Sequence, residues 1–202
     1  LAFRDITNPT NERTIVAAIL PRAGYNNKAP LIDVESATDA AALCANFCSF
    51  VFDYVARKKI QGTNAKWYII EQLPVISHSD YLKKFGEMTA REIIEREVLH
   101  LTYTSHEMAA FASDLGHVNN EGTVKPPFIW NDGDRRQRRA RLDALFFHLY
   151  GISRDDASYI LSTFPIVRRN EEVTFGKYQM RDLILGQMNA LQAGETDAIV
   201  NV

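Results

Sequence analysis

The spacing of apolar residues changes character partway along the chain. Residues 14–20 (TIVAAIL) form a short apolar run followed by Pro21 and Gly24, which predicts a buried strand ending in a turn. Residues 28–33 read as a loop with a brief extended piece. Residues 38–57 contain no Gly or Pro, are rich in alanine, and set Phe47, Phe50, Val51, Tyr54 and Val55 three and four apart. That spacing predicts one long helix, buried on most of its circumference. It ends in Arg57-Lys58-Lys59, cations suited to the negative end of the helix dipole, with Gly62 as the stop. Residues 67–70 (WYII) are aromatic and β-branched and predict a second strand before Pro74.

Beyond a hinge or linker at 77–86 the pattern turns helical. Thr89 and Glu92 have the spacing of a capping box, and Ile94, Val98 and Leu101 form one apolar stripe. Thr104 and Glu107 repeat the device ahead of a second helix that Gly116 ends. Residues 117–133, with Asn119-Asn120, Gly122, Pro126-Pro127 and Asp132-Gly133, predict a long loop anchored by Phe128 and Trp130. A helix over 134–150 sets Leu142, Leu145, Phe146 and Leu149 on one face, against the helices carrying Val98 and Phe111. Ser153 caps a short helix to about 163, Pro165 breaks it, and a last helix covers 179–191. The fold class is α+β: a small mixed α/β N-terminal part, residues 1–80, then a mainly α-helical part, residues 85–202.

Composition narrows the reading. With 202 residues, 46% hydrophobic and 24% charged, the chain has material for one sizeable core or two small ones, which excludes wholesale disorder. No apolar run approaches the roughly 20 residues of a membrane span, and no basic leader precedes an apolar stretch. Cys44 and Cys48 lie four apart in a helical pattern and read as core residues of a reducing, cytoplasmic protein. The chain opens on an element-like pattern at Leu1, which reads as a segment of a longer protein. A net charge of -2 supplies no global basic field, so contact with nucleic acid requires a local one.

Two local basic features qualify. Arg57, Lys58 and Lys59, followed by Gln61, Thr63, Asn64 and Lys66, combine phosphate neutralisation with side chains able to read base edges; a solvated helix end explains them equally well. Arg135, Arg136, Arg138, Arg139 and Arg141 crowd into seven positions near a helix N-terminus, where the dipole disfavours cations. Carboxylate pairing explains this run better than phosphate does. Catalytic machinery is missing from the pattern. No glycine-rich nucleotide loop, no His-Glu-x-x-His and no Cys-x-x-Cys occurs, and the five histidines are scattered. We therefore assign no catalytic, cofactor or metal residue. Asp155-Asp156 only favours a helix start, and His148 is expected to tolerate Gln unless it makes a buried hydrogen bond.

Five separated segments carry a resemblance: Phe3-Arg4-Asp5-Ile6-Thr7 with Asn11-Glu12-Arg13-Thr14; Phe52-Asp53-Tyr54-Val55-Ala56-Arg57-Lys58-Lys59-Ile60-Gln61-Gly62; Leu99-His100-Leu101-Thr102-Tyr103-Thr104; Arg138-Arg139-Ala140-Arg141-Leu142-Asp143-Ala144; and Phe175-Gly176-Lys177-Tyr178. In this order they resemble the C-terminal target-recognition, or specificity, region of bacterial type II restriction-modification proteins with an adenine-specific DNA methylase. Where similar sequences tend to carry Gln-Lys and a double glycine after the helix arginine, this chain has Lys58-Lys59 and Gln61-Gly62, which makes the turn more basic and less flexible.

The resemblance implies a module that recognises and positions a double-stranded DNA target for adenine-N6 methylation without catalysing it. S-adenosylmethionine and the active site would belong to a methylase domain of the same polypeptide, with or without an endonuclease activity in the parent protein. The Asn8-Pro9-Thr10-Asn11 run lacks the second proline and the aromatic residue of a methylase active site. Arg13, Arg57, Lys58, Lys59, Gln61, Asn64, Lys66, Arg135, Arg136 and Arg138 are the candidate DNA contacts. The alternative is a structural or protein-interaction segment of the same enzyme that reads no bases.

Overall fold

A computed structural model describes residues 1–8 and 11–202, so the Asn8–Asn11 run lies partly outside the described residues. The chain is α+β, with an N-terminal mixed α/β region followed by a predominantly helical one. Near the N-terminus β1 (Ala2–Phe3) pairs antiparallel with β2 (Ala17–Ala18). Single bridges join Ala2 to Leu31 and Ile6 to Asn64. The strand expected over 14–20 thus shrinks to two paired residues, although Ile15 is buried as expected.

The long helix predicted over 38–57 is two: α1 (Ala37–Cys48) and α2 (Phe50–Lys59), bent by 64°. The break has an explicit cause. Ser49 is extended and its hydroxyl caps the Phe52 N–H, while the Asp143 carboxylate accepts from the Phe50 N–H at 2.7 Å. Capping by a serine and a distant carboxylate starts a new helix where hydrophobic spacing alone shows no interruption. The bend also lets α1 and α2 serve two cores: Ala41 and Phe50 join a large one, Phe47 and Phe52 a smaller one with Phe3, Ile15 and Ile60. Among the described residues no single helix is long and apolar enough to cross a membrane.

The aromatic run 67–70 is not a strand but a one-turn helix, α3 (Trp67–Ile70). Its backbone bonds close locally, with Ile69 and Ile70 donating to Lys66, and only Ile70 is buried. Residues 77–86, expected as a linker, hold a 3-10 turn at Asp80–Leu82 with Tyr81 and Phe85 in the large core. There β3 (Lys84–Phe85) pairs with β4 (Met88–Thr89), which leads into α4 (Ala90–Thr102) through the expected Thr89–Glu92 capping box. At the next start Ser105, not Thr104, caps the chain, and it accepts from Glu107 at the head of a 3-10 turn before α5 (Ala109–Asp114).

After the expected loop come α6 (Asp132–Leu149), capped by Asn131, and α7 (Arg154–Ser162), capped by Ser153. Pro165 does not simply end a helix. It occupies the first turn of α8 (Pro165–Phe175), where a missing N–H costs nothing, and Gly176 in the left-handed region closes that helix. α9 (Gln179–Gln192) lies along α6. Leu145, Phe146, Ile93, Ile94 and Leu161 fill the large core, and Leu149 packs at its margin.

Candidate nucleic-acid interface

The first functional element is a buried carboxylate. Asp53, on the inner face of α2, is fully buried; its two oxygens accept from the Thr14 N–H at 3.1 and 3.0 Å, and one accepts from Arg13 Nε at 2.8 Å. Arg13 also donates to the Cys48 carbonyl and lies 4.2 Å from the Phe50 ring centre. Arg57, one turn after Asp53, pairs with it at 3.6 Å and donates to the carbonyls of Asn11 and Glu12 at 2.8 and 2.7 Å. Its guanidinium rests over Phe164 at 4.1 Å. Arg13 and Arg57 are therefore committed to joining the 11–14 segment to α2 and to Phe164, just ahead of Pro165. Burial of these charges is offset by the Asp53 carboxylate and the carbonyl acceptors, although among the described residues Arg57 Nε itself is buried without a hydrogen bond.

The turn after α2 is pinned from beneath by Asp5. Asp5 accepts from Asn64 at 2.8 Å and from Lys28 at 3.2 Å, with Lys66 at 3.8 Å, while the Ala65 N–H donates to the Asp5 carbonyl. Burial acts to raise the Asp5 pKa, but the donors from Lys28 and Asn64 and the Lys66 charge outweigh it and hold the carboxyl below its usual value. Asn64 thus spends its amide inward. What remains outward is Lys58, whose ammonium sits 4.6 Å from the Tyr54 ring; Lys59, with a long contact of 3.4 Å to Gln72; and Gln61, with no side-chain partner among the described residues.

Two exposed aromatic residues follow this turn in the chain, at positions where the sequence pattern predicts a strand. Trp67 meets Phe3 edge-on at 5.1 Å yet stays 42% exposed, and Tyr68 is 64% exposed. With Lys28, Leu31 and Lys66, Trp67 borders a shallow hollow of about 380 Å³. Reading residues 67–70 as a strand hid these rings. The available signal was two aromatic residues directly after a basic turn, with no polar alternation.

The arginine run behaves differently. Arg136 grips Glu171 with both terminal nitrogens at 2.9 and 2.8 Å, and it stacks on Phe175. Arg138 bonds Asp134 at 2.8 Å and Glu97 at 2.7 Å, and Arg141 bonds the same Glu97 at 2.8 Å. Arg96 adds a third guanidinium to Glu97, which is fully buried. Arg135 donates to the Leu101 carbonyl at 2.9 Å and stacks on Trp130 at 3.7 Å. Only Arg139 of this run makes no hydrogen bond or ion pair among the described residues.

The remaining chemistry is sparse. His148 does make a hydrogen bond, at 2.9 Å to the Met188 carbonyl, so its imidazole has a packing role. His100 stacks on Phe128 at 3.6 Å, and burial lowers its pKa. Cys44 is buried whereas Cys48 is exposed, with its sulfur donating to the Ala17 carbonyl at 3.3 Å. Among the described residues no group of three His, Cys, Asp or Glu side chains could hold a metal ion. No known family, curated protein or solved structure matches the chain.

Proposed function

We propose that this chain is a non-catalytic module that recognises and positions double-stranded DNA for a site-specific adenine-N6 methyltransferase or restriction-modification enzyme. The observation that carries the reading is the outward face of the α2–α3 turn. Among the described residues Lys58 and Lys59 have no ion pair and Gln61 has no side-chain partner, and Gln72 links Lys59 to the carbonyl of the exposed Tyr68, next in the chain to the partly exposed Trp67. Mobile lysines neutralise phosphates, an amide can read donors and acceptors, and exposed rings can pack on sugars or unstacked bases. The turn itself is held by Asp5, so its outward groups are presented on a fixed base. The resembling segments support the same reading, because Arg13 of the first and Asp53 and Arg57 of the second form one bonded unit.

Within this reading Arg13, Arg57, Asn64, Arg136 and Arg138 support the interface rather than touch DNA, since their donors are used internally, and Arg135 spends one terminal nitrogen on the Leu101 carbonyl and its face on Trp130. A second reading, a scaffold segment that reads no bases, is favoured by that same internal use of six of the ten candidates. Titrating the chain with duplex DNA at several salt concentrations separates the two. The DNA reading expects binding that weakens with salt, and Lys59→Ala should lower the slope by about one without favouring any sequence. Gln61→Ala should reduce discrimination between duplexes by about 1 to 3 kcal/mol. Absence of duplex binding at low salt, or variants indistinguishable from the parent chain, supports the scaffold reading instead.

A further inference from the structure

A cleft of about 450 Å³ opens where α1, α4 and α6 meet the strand β2. Its volume lies within the range of small-molecule sites, roughly 300 to 1,000 Å³. Ala45, Val98, Leu101 and Leu142 supply apolar wall, and Cys48, Asp143 and the arginines Arg13, Arg135 and Arg139 supply the polar groups. The charges are unevenly satisfied. At the inner end Asp143 accepts from the Phe50 N–H, and Arg13 is paired with Asp53. At the α6 side Arg139 is exposed and, among the described residues, makes no hydrogen bond or close ion pair, only a longer-range attraction to Asp143, and Arg135 donates to Leu101 through one terminal nitrogen. Apolar wall beside unsatisfied cations suits a ligand that is apolar along its body and anionic at one end.

We propose that this cleft binds a small molecule with an apolar body and one anionic headgroup, the body lying along Ala45, Val98, Leu101 and Leu142 and the headgroup on Arg139 and Arg135. Arg139 is the specificity-determining residue: it stands on the ridge between the cleft and a neighbouring hollow beside Phe175, and it has no structural bond to give up. Carboxylate and phosphate monoester heads share the required chemistry. Lys58, Lys59 and Gln61 do not line the cleft, so this proposal and the DNA reading fail independently.

The cleft carries its own reporter. Cys48 lines it and is exposed, and the neighbouring Cys44 lowers the Cys48 thiol below its usual value, whereas Cys44, which also borders the cleft, is buried. The whole chain is titrated calorimetrically with decanoate and with decyl phosphate, with decanol and decyltrimethylammonium as controls, while iodoacetamide labelling of each cysteine is followed by mass spectrometry. The expected result is binding of at least one anionic probe, protection of Cys48 by it, and tenfold or greater weakening in Arg139→Gln with an unchanged unfolding midpoint. Decanoate binding alone selects the carboxylate head, and decyl phosphate binding alone selects the phosphate; either supports the proposal. It is overturned if neither anion binds, if binding leaves Cys48 labelling unchanged, if decanol binds as tightly as the anions, or if Arg139→Gln binds them like the parent chain.

Discussion

The arginine-rich start of α6 and the lysine-rich end of α2 look alike as charge runs, yet the fold uses them in opposite ways. On α6 all the cations but Arg139 are drawn inward. Glu97, from α4, takes Arg138 and Arg141, and Glu171, from α8, takes Arg136. On α2 only Arg57 turns inward, and Lys58 and Lys59 remain on the surface. The difference teaches that side-chain type and remote carboxylates decide the outcome, not local charge density. A planar guanidinium can satisfy a buried carboxylate from a fixed direction, whereas a strongly hydrated ammonium stays in water unless the geometry is unusually favourable.

The comparison is broken most severely at Glu97. Replacing it with Ala leaves Arg96, Arg138 and Arg141 around a site with no negative charge, and we expect a loss of about 3 to 5 kcal/mol in chemical denaturation. Phe146, fully buried in the same core, gives a yardstick: Phe146→Ala should cost a similar amount, about 3 to 5 kcal/mol, through lost burial and a cavity. A change below about 1 kcal/mol for Glu97→Ala contradicts its role as the anchor of α6. The C-terminal segment reports on the same hub, since Arg96 and Arg141 also hold the carbonyls of Thr196 and Ala198. Amide exchange in 196–200 should therefore accelerate in that variant.

Asp143 sharpens the comparison at the junction of the two regions. Burial raises its carboxyl to about 6, against the opposing pull of Arg13 and the Phe50 N–H. Because the folded value lies above the unfolded one, this group's favourable contribution is complete below about pH 4 and is lost as pH rises through about 6. Asp143→Asn keeps an acceptor for Phe50 and has no such loss. Relative to the parent chain it should gain about 2 to 3 kcal/mol between pH 4 and pH 7 in urea titrations, and parallel pH profiles refute this. Asp5 titrates the other way: its lowered pKa adds stability above the usual carboxylate range that disappears on acidification, so Asp5→Asn should matter at neutral pH and little in acid.

Much of the helical half was legible because its signals are local. The Thr89–Glu92 box, the Ser153 cap, Gly151 after α6 and the apolar stripe of Leu142, Leu145 and Phe146 act within a few residues of one another. The misreadings share a different cause. The break at Ser49 depends on Asp143, 93 residues from Phe50, and the short β1–β2 pairing is decided by Ala2 and Phe3 meeting residues beyond the next loop. Pro165 by itself predicts a stop, yet proline is equally at home at a helix start. The internal use of Arg13 and Arg136 was likewise invisible, because their acceptors lie 40 and 35 residues away.

The smallest expected effects concern the two lysines. Lys59 offers only a 3.4 Å contact to an exposed glutamine, so Lys59→Ala should leave the unfolding free energy within about 0.5 kcal/mol. Lys58 has slightly more to lose, since its ammonium lies over Tyr54, and an exposed cation–π contact is worth about 0.5 to 1 kcal/mol. Arg138→Ala, made on the same chain, strips two carboxylates of a partner and should cost several times more. Raising the salt concentration should shrink the Lys58 effect more than the Arg138 effect, because screening acts on exposed charges first. If Lys59→Ala destabilises the chain as much as Arg138→Ala does, the α2 end is a structural element like the start of α6, and the division between inward arginines and outward lysines does not hold.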